Sequence, residues 1–226
     1  PTGRTGRTPA AVPAEHAAEL TYDVYLEPGG AAKIIEERRY SGNLAQSLRG
    51  YRHYDPERLR DRMRAQVSGF GRRTELLDFS VDGMREMTDP VVLRRTSFTP
   101  MFTVASGGKY ELLRLFDFGM SDIYRVHEQR LYPLERLGLT RERRVYRFHL
   151  PPGLTVKNLP APVRARVGDD AYTYNASWTL AGSLLTFTDE TIYAARELAP
   201  ASFGEVEEFF HQRRIVGEGV LLLEPR

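Results

Sequence analysis

Leu20, Tyr22, Val24 and Leu26 alternate with Thr21, Asp23, Tyr25 and Glu27. A two-residue period puts one row on a buried sheet face and the other on a wetter face, so this stretch predicts a strand. Pro28-Gly29-Gly30 supplies a turn, and Ala32 to Tyr40 continues as the second arm of a hairpin. The period then changes. Leu44, Leu48 and Tyr51 lie at i, i+4 and i+7, the stripe of an amphipathic helix. Asp55-Pro56-Glu57 opens a second helix: Asp caps free amides, Pro suits the first turn, and Glu meets the positive dipole end. Its buried row is Leu59, Met63 and Val67, and Ser68-Gly69 to Arg73 ends it.

Extended chain returns at Glu75 to Met84, with a turn at Asp82-Gly83, and again at Val91 to Val104, where Pro100 forces an edge or a bend. Tyr110 to Phe118 is apolar on both faces and predicts a covered strand. Arg143 to Tyr193 reads as short strands punctuated by proline and glycine. Tyr146, Phe148 and Leu150 form one row, Pro151-Pro152-Gly153 stops it, and Leu154 to Leu159 is a short extended piece. Val163, Ala165 and Val167 alternate with Arg164 and Arg166 before a Gly168-Asp169-Asp170 turn. Tyr172, Tyr174, Ala176, Trp178 and Leu180 form another row, and a turn at Ala181-Gly182-Ser183 leads into Leu184 to Tyr193. Ser202-Phe203-Gly204-Glu205 matches a capping box, with Phe203, Val206 and Phe210 on one helix face. Val220 to Leu223 is a last strand without polar alternates, which needs cover from its own sheet or from a partner.

These elements predict an α+β, mainly β chain: two antiparallel, sandwich-like β-rich subdomains with two or three short helices. Residues 1–16, rich in Pro, Thr, Gly, Ala and Arg, read as a flexible linker. Residues 17–138 form a β-rich domain with two helices, and residues 139–226 a C-terminal sandwich-like domain with one helix.

Composition narrows the chemistry. The chain has 226 residues, enough to bury a core, and a formal net charge of +2, which gives no electrostatic case for nucleic acid or an acidic membrane. No apolar run approaches the ~20 residues of a membrane span. The absence of cysteine removes thiol nucleophiles, disulfides and cysteine-ligated metals, and leaves the compartment open. Pro1 stands where an initiator Met would, and no signal-peptide pattern follows; the expectation is a processed product or a fragment.

Candidate residues point mostly to structure. His16, His53, His127, His149 and His211 lack zinc-type spacing, and His127-Glu128 lacks the second histidine of HExxH. No phosphate-cradling glycine loop and no Gly-x-Ser-x-Gly elbow occurs. Asp189-Glu190 are adjacent on a strand, so they face opposite ways. Arg58, Arg60, Arg62 and Arg64 are interrupted by Asp61, and Arg141-Glu142-Arg143-Arg144 is short; both favour solvated faces over phosphate or nucleic-acid sites. Arg4 and Arg7 suit a tether more than an anion site. Tyr172, Tyr174 and Trp178 could stack a sugar or base, but their shared row with Ala176 and Leu180 favours core. No catalytic, cofactor-binding or metal residue is assigned.

Arg144-Val145-Tyr146-Arg147-Phe148-His149-Leu150-Pro151-Pro152-Gly153, followed by Val156-Lys157-Asn158-Leu159-Pro160, resembles the C-terminal module of bacterial envelope proteins with a transglutaminase-like core. The later order is also similar: Tyr172 to Trp178, the Gly182 turn, Leu184 to Tyr193, Pro200, and an aromatic helix through Phe209-Phe210. Gly29 to Ala32, Tyr40-Ser41-Gly42 and the helices to Val67 are similar to the segment that follows the core. The likeness runs from about Leu20 to Leu223. It implies a β-rich domain of unknown function first, a papain-like core second and β-rich segments after it, in the periplasm or at the cell surface. The implied core uses Cys, His and Asp. This chain has no cysteine and no matching segment, so those roles fall on none of its residues.

The leading expectation is a non-catalytic accessory module that supports the core or docks it to a protein partner through the Val220 to Leu223 edge. Alternatives are a stand-alone glycan- or peptide-binding module and a hydrolase with an unrecognised Ser or Asp site. No cofactor is expected.

Overall fold

In the computed structural model, residues 12–118 and 131–225 are described. Within the expected linker, Pro13–Glu15 forms a single 3-10 turn. β1 (Ala17–Leu26) and β2 (Ala32–Tyr40) make the expected hairpin, with Tyr22 opposite Glu36 and Val24 opposite Ile34. Its turn uses left-handed glycines, Gly29 at φ 92° and Gly30 at φ 89°, and a Cβ on Gly30 would collide with Thr103. The next segment is α1 (Gln46–Arg49) between two 3-10 turns, then α2 (Pro56–Val67). The Asp55 carboxylate accepts the Arg58 N–H at 2.8 Å, and Met63 and Val67 are buried, as the pattern predicts.

The remaining elements, in order, are β3 (Glu75–Asp82), β4 (Val91–Thr99), β5 (Val104–Ser106), β6 (Tyr110–Arg114), β7 (Leu134–Glu135), β8 (Thr140–His149), β9 (Leu154–Val156), β10 (Val163–Val167), β11 (Tyr172–Ala181), β12 (Leu184–Tyr193), β13 (Glu197–Leu198), α3 (Phe203–Glu218) and β14 (Val220–Pro225). Eight strands form one sheet in the order β10-β11-β12-β8-β1-β2-β4-β3. β5-β6-β14-β9 form a smaller sheet, and β13 pairs with β7. The α+β, mainly β character read from the sequence is present. Among the described residues, all strand pairings are antiparallel except β1 with β8, which run parallel with Tyr22 beside Tyr146. That pairing carries the large sheet across the boundary expected at 138/139.

One face of the large sheet is filled. Leu20, Tyr22 and Val24 of β1, Tyr146 and Phe148 of β8, Leu185 and Phe187 of β12, and Tyr172 and Tyr174 of β11 point into it. The cover is Phe70 and Phe116, the Val206–Phe209 face of α3, and Leu221 and Leu223 of the smaller sheet. A second cluster seats Met63, Ala45 and Leu48 on Val91 and Leu93 of β4. Tyr22 and Tyr146 stack with ring centroids 4.4 Å apart at the centre.

Three local expectations are corrected. The Tyr110 to Phe118 run is a strand only to Arg114; the chain then turns, with Asp117 left-handed at φ 53°, so that Leu115, Phe116 and Phe118 enter the core as irregular chain. The capping box does not form. A 3-10 turn over Pro200–Ser202 runs directly into α3, so the Ser202 N–H already donates to the Ala199 carbonyl at 3.0 Å. Glu205 instead accepts the Gly168 N–H at 2.7 Å; the buried residues of α3 are Val206, Phe209 and Arg213, with Phe210 half-buried against the same core. Finally, β14 is an interior strand. β6 pairs with it over Val220–Leu223 and β9 over Leu223–Pro225, while the Lys157 N–H donates to the Leu222 carbonyl at 2.9 Å. The edge expected to dock a partner is occupied by the chain's own strands.

Candidate interaction face

The strands' buried charges on the filled face are paired, whereas buried Arg213 of α3 donates to the Tyr193 hydroxyl at 2.7 Å. Arg95 grips Glu36 with two hydrogen bonds, of 2.6 and 2.7 Å, and donates a third to Gln66 at 2.7 Å. Arg38 donates to Glu36 and, at 2.5 Å, to Asp117, which also accepts the Tyr22 hydroxyl at 2.5 Å. Arg144 grips Asp189 at 3.0 and 2.8 Å, with its guanidinium 4.0 Å from the centre of the Phe118 ring. Burial pushes the Tyr22 and Tyr146 phenols well above their usual range, so both remain protonated donors, to Asp117 and to the Phe116 carbonyl respectively. Each of these buried ions is matched by a hydrogen-bonded partner and would be expensive to leave alone.

The opposite face of the large sheet is different. Its side chains are half-buried or exposed on every strand apart from Val92. Charged residues are frequent on β1, β2, β4, β8 and β10 and are interleaved with Tyr25 (41% exposed) and Ile35 (39% exposed), while β11 and β12 present mostly neutral polar side chains. The Asp23 carboxylate accepts from Arg147 at 2.6 and 2.5 Å and lies 3.3 Å from His149, whose ring stacks on Tyr25 at 4.3 Å and 6°. The Arg147 hydrogen bonds hold the Asp23 carboxyl below its usual range. Arg94 bonds Glu37 and Asp82, both at 2.8 Å, and Arg141 bonds Glu190 at 2.7 Å. Arg143 lies in register between Glu190 and Glu19, and Arg39 lies opposite Glu19.

Sequence-named candidates now have places. Tyr172 and Tyr174 are buried core, and Trp178 is half-buried against Phe187 and Phe148, with ring centroids 4.6 and 6.2 Å away. Trp178 also lines an apolar cleft of about 190 Å³ between the sheet, the end of α3 and β14. Asp189 and Glu190 do point to opposite faces, toward Arg144 and Arg141. On α2, Arg58 lies 4.4 Å from the Tyr54 ring, Arg60 5.6 Å from the Phe79 ring, and Arg64 pairs with Asp61, so no phosphate cradle forms. His16, His53 and His211 meet Asn43, Arg52 and Arg214 respectively. Arg4, Arg7 and His127-Glu128 lie outside the described residues. Among the described residues, no cluster of three or more His, Asp or Glu could hold a metal, and no helix is long and apolar enough to cross a membrane.

Sequence reading did not find the Asp23–Arg147–His149 constellation, because its members lie 124 and 126 positions apart and meet only through the parallel pairing. It also passed over Arg164 and Arg166 as the polar row of a strand. The alternation was visible, but not that this strand is an edge.

No family model matches the chain, and no curated protein matches it. Among solved structures, a candidate protease from Parabacteroides distasonis aligns with 53% of this chain at 14% identity and a TM-score of 0.41. The aligned part is 24% of that protein, so the chain spans about a quarter of its length. Likeness at this level establishes neither a family nor an activity.

Proposed function

We propose that the chain is a non-catalytic accessory module of a bacterial envelope protein with a transglutaminase-like core, and that it docks a protein partner through the open face of its large sheet. The partner is its own core or another envelope component, which places the module in the periplasm or at the cell surface. One observation carries the docking: the large sheet is filled on one side, while among the described residues no element covers the other across its eight strands, where exposed Tyr25 and Ile35 are set among ordered charges. Antiparallel sheets tolerate water on one face, so bareness alone would not suffice. Exposed tyrosine and arginine are side chains enriched at interfaces, and the carboxylates set among them have the character of a polar rim. The buried carboxylates Glu36 and Asp189 are held by arginines, which suits structure better than acid–base work.

Reading the coding sequence upstream of Pro1 tests the attachment. The expected result is a signal peptide followed by a core carrying Cys, His and Asp. A start codon close to Pro1 with no such core would overturn the accessory reading. A panel of ester, peptide and glycoside substrates is expected to give no turnover, and steady turnover abolished by one Ser or Asp substitution would overturn its non-catalytic part.

A further inference from the structure

The arginines of the open face fall into two groups. Arg39, Arg94, Arg141, Arg143 and Arg147 each have a carboxylate opposite or diagonal to them. Arg164 and Arg166 do not. β10 is the edge of the sheet, so each has a cross-strand neighbour on one side only, and those neighbours are neutral: Asn175 and Thr173. Both arginines are exposed, and neither has an ion pair among the described residues.

The surface beside them is concave. Two adjoining depressions of about 450 and 590 Å³ share Arg164 and Asn175. The first continues to Ser177, Thr188 and Arg143, and the second to Arg166, Thr173 and Ile192. Glu190 lines the first and Asp170 the second. Because Ser177, Asn175 and Thr173 are alternate residues of β11, the trough runs along the strands.

The geometry points to this trough as the binding site for an extended acidic peptide segment with carboxylates two residues apart. Alternate side chains of any extended chain are spaced by about 6.8 Å, so carboxylates at i and i+2 match Arg164 and Arg166, which stand at i and i+2 on β10. Arginine grips carboxylates with two parallel N–H donors. Asn175, Ser177 and Thr188 offer neutral donors and acceptors to a peptide backbone. Among the described residues the trough has no aromatic ring, which disfavours a sugar as its occupant. The inference rests on the docking reading above, in that it supplies the chemistry of the docked segment.

Fluorescence anisotropy with a labelled heptapeptide carrying Glu at alternate positions tests it, at low and physiological salt. The expected result is saturable binding that weakens at least tenfold in Arg164→Gln/Arg166→Gln. An isomer with the same residues but adjacent Glu should bind at least threefold more weakly. Both arginines are exposed, so the variant should melt with the parent. Arg58→Gln/Arg62→Gln removes equal charge from α2 and should leave binding unchanged. Equal loss in that control, no loss in the β10 variant, or preferential displacement by polygalacturonate would each overturn the inference. Failure to bind peptide while an upstream core exists would sink this inference alone. Absence of the core would sink the accessory reading and leave the peptide result standing.

Discussion

Arg95 and Glu36 are fully enclosed, and Arg95 spends its donors on Glu36 and Gln66. Removing one partner leaves an uncompensated buried charge, which typically costs about 3–5 kcal/mol. Glu36→Ala should therefore lower the free energy of unfolding in urea by that amount. A loss below about 1 kcal/mol would mean that water reaches the site and that the pair does not organise the β2–β4 register. On the open face, Asp23 gives a signed prediction. Its folded carboxyl titrates below its unfolded value of about 3.9, so the interaction is fully present above that pH and is lost as pH falls through the folded value. The stability gap between the parent and Asp23→Asn should be present at about pH 5 and shrink as pH falls below about 4. A gap unchanged at pH 2 would show that Arg147 and His149 do not bias this carboxyl.

Elements were legible in the sequence where a period ran unbroken. The hairpin of β1 and β2, the Asp55-capped α2, and the β11–β12 pair all follow from alternation, turn residues and caps. Failures came where tertiary contact overrode local pattern. Ser202 could not cap because a 3-10 turn had already used its position, and Leu115 to Phe118 left the strand because Asp117 turns back to meet Tyr22 and Arg38. Gly217 lies in the last turn of α3. A Cβ there would come within 2.2 Å of the Phe118 ring, so its role is to let the helix approach. Gly217→Ala should destabilise by about 1–3 kcal/mol despite the better helix propensity of alanine; a higher melting temperature would contradict this packing. Leu221→Lys separates two views of β14. Leu221 is buried and its strand is paired on both sides, so the variant should unfold the chain by about 3 kcal/mol or more. Weakened partner binding at unchanged stability would restore the edge-docking expectation.

At the scale of the molecule, the decisive feature is the parallel pairing of β1 with β8, which no local pattern encodes. It joins strands from both halves into one sheet with one filled and one open face. Composition and spacing identified the aromatic rows as core but could not show which polar rows would share a surface. On the docking proposal, this shared surface is covered when the module is attached to its partner. Hydroxyl-radical footprinting of residues 1–226 alone, and of the same residues within the intact protein, measures this directly at side chains. Tyr25, Ile35, His149 and Ile192 should lose reactivity in the intact protein, while Leu77 on the edge strand β3 and Ile215 on α3 keep theirs. Equal reactivity of the open-face residues in the two states, or protection confined to Leu77 and Ile215, would contradict it.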